Sequence, residues 1–158
     1  MGHIPNGGDD PFLSLAVQGK YAYLIQGNVE KPKRLHVVDI SDPSQPRIVG
    51  SSPLTDSAMH LAVSGNHVYV LDEPNFRVFD VSNPAAPRDV GSCELGKLLW
   101  DLVIQGRYAY VTDVESVRVI HAEHAEVSGD AVYLVGDDGF SILRVVRPGK
   151  EGDKQLKQ

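Results

Sequence analysis

The sequence predicts an all-β chain, a tandem series of four-stranded antiparallel blades of a β-propeller, and three observations predict it. One phrase recurs four times: LAVQGKYAYLI (15–25), LAVSGNHVYVL (61–71), LVIQGRYAYVT (102–112) and AEVSGDAVYLV (125–135). A β-branched run follows each phrase at a near-fixed distance. Twice that run leads into a proline-bounded turn and a further apolar segment. A period of about forty residues that cannot bury its apolar faces alone is the signature of a repeat architecture.

Each unit opens as strand, turn, strand. The anchoring glycines, Gly19, Gly65, Gly106 and Gly129, each lie between two short apolar runs. There a glycine supplies the positive φ of a tight hairpin. The third runs, 35–39, 76–80, 117–121 and 140–144, end fifteen residues after the glycine in units two to four and twenty after it in unit one, a five-residue loop insertion. They are rich in β-branched and aromatic residues and lack a helical period, so they read as strands.

Units one and two continue into DISDPSQP (39–46) and DVSNPAAP (80–87), then RIVGS and RDVGS. Proline cannot donate to a sheet ladder, and Asp, Ser and Asn bond to their own backbone in turns. The segments are therefore expected as a turn into an outer, fourth strand. Asp39, Ser41, Asp42, Asp80, Ser82 and Asn83 are expected to fix these turns rather than to bind cations.

The strand LHVVD, echoed by FRVFD and more loosely by VRVIH, together with V-[SQ]-G-x-x-[VA]-Y-[VL] before it and D-[IV]-S-[DN]-P-x-x-P after it, resembles the LVIVD-repeat proteins over about residues 15–146. The resemblance implies a β-propeller-like fold, often in exported or surface-attached proteins, and no agreed biochemical activity. This sequence departs from the pattern after His121. Twenty-one residues separate the third strand from the next unit in units one and two, but only three (122–124) do so in unit three. The expectation is that Ala125–Ser128 serve as the fourth strand of unit three and that unit four is a leftover hairpin. That gives about fourteen strands, or three and a half blades.

The repeats are expected over 11–148, in units of about 13–58, 59–99, 100–124 and 125–148, between a flexible N-terminal tail (1–10) and a polar C-terminal tail (149–158). An incomplete ring leaves strand edges that invite pairing with another chain. Self-association, or membership of a longer propeller, ranks above closure as a small four-bladed ring.

With 21 acidic and 15 basic residues the net charge is −6, which argues against nucleic acid and anionic lipid as partners. No apolar window is long enough to insert in a membrane, and residues 1–11 lack the layout of a signal peptide. The compartment is left open, because the resembled family is often exported. Lys31, Lys33 and Arg34 are expected in a solvated loop. The single cysteine, Cys93, excludes an intrachain disulfide and reads as a core residue.

Rotation about a propeller axis brings equivalent positions into a ring. Five residues before each glycine stand Ser14, His60, Asp101 and His124, expected at the mouth of a central channel. His60, Asp101 and His124 are chemically suited to a divalent transition metal. The alternative is that each residue caps its own strand by a local hydrogen bond. Trp100, beside this ring, is expected either to floor a ligand pocket or, more simply, to pack between blades. His121 and His124 are three apart by coincidence, and Asp137-Asp138 reads as a hairpin turn.

There is no G-x-S-x-G elbow, P-loop or dinucleotide fingerprint, and no catalytic residue is assigned. The sequence therefore favours a non-enzymatic binding or scaffold module that presents loops to a protein or carbohydrate and needs no cofactor. The alternative is a metal-dependent hydrolase or lyase at the channel mouth.

Overall fold

Short runs rich in β-branched and aromatic residues, broken by glycine turns and proline loops, make every described element a strand. The computed structural model describes residues 2–5, 10–28, 31–106, 108–114, 116–121, 131–136 and 139–144, with His121 and the last two segments described in backbone alone. The strands are β1 (Phe12–Gln18), β2 (Tyr21–Gln26), β3 (Arg34–Asp39), β4 (Arg47–Pro53), β5 (Ala58–Ser64), β6 (His67–Asp72), β7 (Asn75–Asp80), β8 (Arg88–Glu94), β9 (Asp101–Gln105), β10 (Tyr108–Thr112), β11 (Val117–His121), β12 (Ala131–Gly136) and β13 (Gly139–Arg144). All pairings are antiparallel.

The sheets follow the repeat. β1-β2-β3-β4 and β5-β6-β7-β8 are complete four-stranded blades, β9-β10-β11 is a three-stranded sheet, and β12-β13 is a hairpin lying alongside β11. The expected fourth strand of unit three, Ala125–Ser128, falls outside the described residues, as do His124 and the Asp137-Asp138 turn. Inner strands β1, β5 and β9 pack in succession, which is the radial arrangement of propeller blades.

The turn glycines act as expected. Gly19, Gly65 and Gly106 have φ of 60°, 57° and 60°. Lys20 and Asn66, which follow the first two, are not in the positive region, so these hairpins have the glycine-first II′ form. The Asp-x-Ser segments close on themselves: Asp39 Oδ1 accepts from Ser41 N (2.9 Å) and Oγ (2.6 Å), and Asp80 Oδ1 accepts from Ser82 N (2.8 Å).

Two apolar layers lie between consecutive blades. Tyr23, Ile25, Leu35 and Val37 of the first blade meet Leu61, Val68, Val70 and Phe79 of the second. Tyr69, Leu71, Phe76 and Val78 of the second meet Leu102, Ala109, Val111 and Ile120 of the third. Period-two alternation sends opposite faces of the second blade into both layers. Cys93 is buried in the second layer, and burial pushes its thiol up to about 12.

Candidate functional site

The end of the blades where β1, β5 and β9 begin also carries the β2–β3 and β6–β7 loops and the crossovers between blades. Both described crossovers are pinned from behind. Leu54 N donates to Lys33 O and Leu95 N to Pro74 O, both at 2.9 Å. The buried Asp72 carboxylate accepts from Thr55 N (3.2 Å) and from the Thr55 hydroxyl in the first crossover, and is paired with Arg77. In the third unit Arg118, paired with Asp113 (2.8 Å), donates to Leu95 O (2.8 Å) in the second crossover. The same Asp and Arg, five apart, thus fasten the preceding crossover in two units.

Lys33 corrects the expectation of a solvated cationic loop. It is 1% exposed, and its ammonium donates to Ala58 O (2.8 Å) and Met59 Sδ (3.3 Å) of the second blade. Its stem lies against Gly27, whose φ is +147° and where an added Cβ would fall 2.6 Å from Lys33 Cγ. Burial holds the Lys33 pKa below the ordinary lysine value, while Asp56 and Asp72 pull it back up. Lys33 is an inter-blade pin. The composition of the loop, KPKR, conceals this because only its third residue turns inward.

The predicted ring is only partly assembled by what the structure describes. Ser14 Oγ accepts from Leu61 N (3.1 Å), so it ties β1 to the neighbouring blade rather than capping its own strand. Asp101 Oδ1 accepts from Leu102 N (2.8 Å), a local cap. His60 is half-buried. His124 lies outside the described residues, and among the described residues no group of three His, Cys, Asp or Glu side chains is placed to hold a metal.

One step before this ring the repeat places Leu13, Met59 and Trp100, six residues before their glycines. Bulges in β1 and β5, between 12 and 14 and between 58 and 60, displace Leu13 and Met59 from regular register. Bulges of this kind re-aim side chains. Leu13 packs on the first apolar layer, Met59 is 44% exposed, and Trp100 is 62% exposed. The expectation of a tryptophan buried between blades is overturned, because its crossover buries Leu95 and Leu99 instead.

That crossover is held in an unusual conformation. Leu98 has φ of 62°, a left-handed backbone that costs a residue with a Cβ about 1–2 kcal/mol. Glu73 Oε1 accepts from Leu99 N (2.6 Å), Gly96 N donates to Pro74 O (3.1 Å), and Trp100 N donates to Thr112 O (2.8 Å). Leu98, 58% exposed, therefore projects from a strained but well-anchored loop two residues before Trp100. Sequence reasoning missed Leu98 and Met59, since neither type signals exposure. The Asp72/Arg77 and Asp113/Arg118 spacing was visible in the repeat and identifies the anchor.

Blades joined by apolar layers, with repeated inner-strand mouths and pinned crossovers, define a β-propeller repeat protein. The chain belongs to the LVIVD repeat family, whose pattern matches residues 13–52, 56–94 and 99–120. Among solved structures it is similar to Hsv2 of Kluyveromyces lactis (TM-score 0.55, 9% identity), with 95% of this chain and 49% of that one covered. It is also similar to KlHsv2 with loop 6CD replaced by a Gly-Ser linker (TM-score 0.54, 10% identity; 88% and 49% covered). The chain thus spans about half the length of these structures, and the likeness is one of fold. No curated protein matches it.

Proposed function

We propose that the chain is a non-enzymatic binding module that receives a protein partner on its crossover end, with Trp100 as the anchoring side chain. The observation that carries this reading is the exposure of Trp100 and Leu98 from a crossover whose backbone is strained and fixed by Glu73, Pro74 and Arg118. Strained backbone persists only where its surroundings hold it, and such sites concentrate at binding surfaces. An exposed tryptophan on a rigid support offers a large contact area with little ordering cost on binding. The apolar character of Met59, Leu98 and Trp100 favours an apolar peptide segment over a carbohydrate.

Trp100 is the only tryptophan of the chain, so fluorescence reads the site directly. The free protein is expected to emit as a solvent-exposed indole, open to acrylamide quenching. Titration with a library of apolar peptides should find sequences that shift this emission and shield the indole. A Trp100→Ala variant assayed on the same immobilised peptides should lose at least about tenfold in affinity, as for a hot-spot tryptophan. Binding confined to a glycan array would replace the protein partner with a carbohydrate. Retention of peptide binding by Trp100→Ala would remove Trp100 from the site.

A further inference from the structure

Gly2–Pro5 do more than precede the first blade. They read G-H-I-P where the end of β4 reads G-S-S-P (50–53), and the likeness extends to packing. A Cβ added at Gly50 would fall 2.1 Å from Pro84 O, in the turn that leads to the next blade's outer strand; a Cβ added at Gly2 would fall 2.5 Å from Pro43 O, at the equivalent turn of the first blade. Exposure also alternates in the same sense: Gly2 and Ile4 are half-buried and His3 and Pro5 exposed, as Gly50 and Ser52 turn inward and Ser51 and Pro53 outward. Residues expected as a flexible tail therefore sit where the outer strand of a preceding blade would sit.

Among the described residues, the face of the first blade on that side is left largely bare. Leu61 and Leu102, at equivalent positions of the second and third inner strands, are 7% and 6% exposed because the blade before them covers them; Leu15 is 62% exposed, and Val17 beside it is also bare. On the same face of the first blade, His36, which is opposite Leu24 and Ser51, keeps a buried Nδ1 with no hydrogen-bond partner. At the other end of the array, β13 is bonded on one side only among the described residues, to β12, and occupies the third-strand place of its unit, the place that β3 and β7 hold beside β4 and β8.

We propose that Gly2–Pro5 of one copy of this chain form the outer strand on β13 of a second copy, so that two copies close one ring. The register follows from the complete blades. Val37 faces Gly50 and Leu35 faces Ser52, as Val78 faces Gly91 and Phe76 faces Cys93. By the same offsets Ile142 faces Gly2 and Phe140 faces Ile4. A second copy is the occupant because, among the described residues, the main strand neighbours of β1 are β2 and β5 and β12 packs on β11, so β1 and β13 are not main neighbours. Two copies also supply the length of one solved chain of this fold, each covering 49% of it. A strand pairing of this kind satisfies the open ladder of β13 and covers Leu15 and Val17 together.

The chain carrying Ile4→Cys is mixed with the chain carrying Phe140→Cys and oxidised. A covalent heterodimer, absent when either variant is oxidised alone, is the expected result; the native Cys93, buried, stays out of the reaction. A chain carrying both cysteines that cross-links only within itself, with no heterodimer from the mixture, would show closure within one chain and overturn the second copy. No cross-link in either experiment would overturn the register. Sedimentation of the unmodified chain provides the check that does not depend on cysteine: a dimer is expected, and removal of residues 1–5 should lower its association at least tenfold while the β-sheet circular dichroism is kept. A monomer before and after that removal would overturn the pairing.

Discussion

At the scale of the residue, the strongest commitments are polar groups hidden inside what reads as a plain repeat of strands. Asp72 is fully buried and serves three masters: Arg77, the Thr55 hydroxyl and the Thr55 amide. Arg77 is also held by Asp89 (2.6 Å) and lies over the Phe79 ring, 4.8 Å from its centroid. Replacing one partner of a buried pair leaves the other charge without its compensation, at about 3–5 kcal/mol. Because Asp89 still reaches the guanidinium, Asp72→Asn is expected to lose about 3 kcal/mol, the low end of that range. Asp113→Asn should lose less, since the Arg118 side chain is more exposed than that of Arg77. Urea unfolding of both variants measures this, and an equal or greater loss at Asp113 would contradict the ranking.

At the scale of the element, two kinds of glycine are needed for different reasons, and the difference is measurable. Gly65 is required by its backbone: φ is 57° and nothing stands within 4 Å of an added Cβ. Gly50 is required by its neighbour, the backbone oxygen of Pro84, 2.1 Å from an added Cβ. Gly65→Ala should cost about 1–2 kcal/mol, the price of a left-handed alanine. Gly50→Ala should cost about 1–3 kcal/mol through displacement of the 84–87 turn. Unfolding midpoints alone do not separate them, but amide exchange at Ala85 and Ala86, whose N–H groups bond to Asn83, does: it should change only in Gly50→Ala. The hairpin glycine was legible in the sequence because turn chemistry is local, and so were the strands, their order and the Asp-x-Ser turns. Gly50 was not, since its constraint comes from residues thirty-four positions away. The same reason hid the site. Trp100 is typical of a packing residue by type, and only the pinned crossover shows that Leu95 and Leu99 take the interior. Lys33 is the mirror case, a surface residue by type that is drawn inward by Ala58 O.

At the scale of the whole molecule, stability is expected to be distributed as in a one-dimensional array, in which a unit gains from each neighbour it touches. The second blade has an apolar layer on both faces, whereas the first has only the layer shared with the second. The local opening free energy should therefore peak in β6 and β7 and fall in β1, whose Leu15 and Val17 are bare. Hydrogen exchange read by mass spectrometry should show β6 and β7 slowest among the strands of the first two blades. It should also show exchange in β1 slowing as protein concentration rises, because covering Leu15 alone is worth about 1.5–3 kcal/mol when a second copy supplies the missing blade. A β1 that exchanges at one rate at every concentration would tie its exposure to the isolated chain and leave the open face without an occupant. A β6 that exchanges faster than β1 would break the nearest-neighbour account itself. The two outcomes are independent, since the first concerns what lies beyond the first blade and the second only how the blades inside the chain support one another.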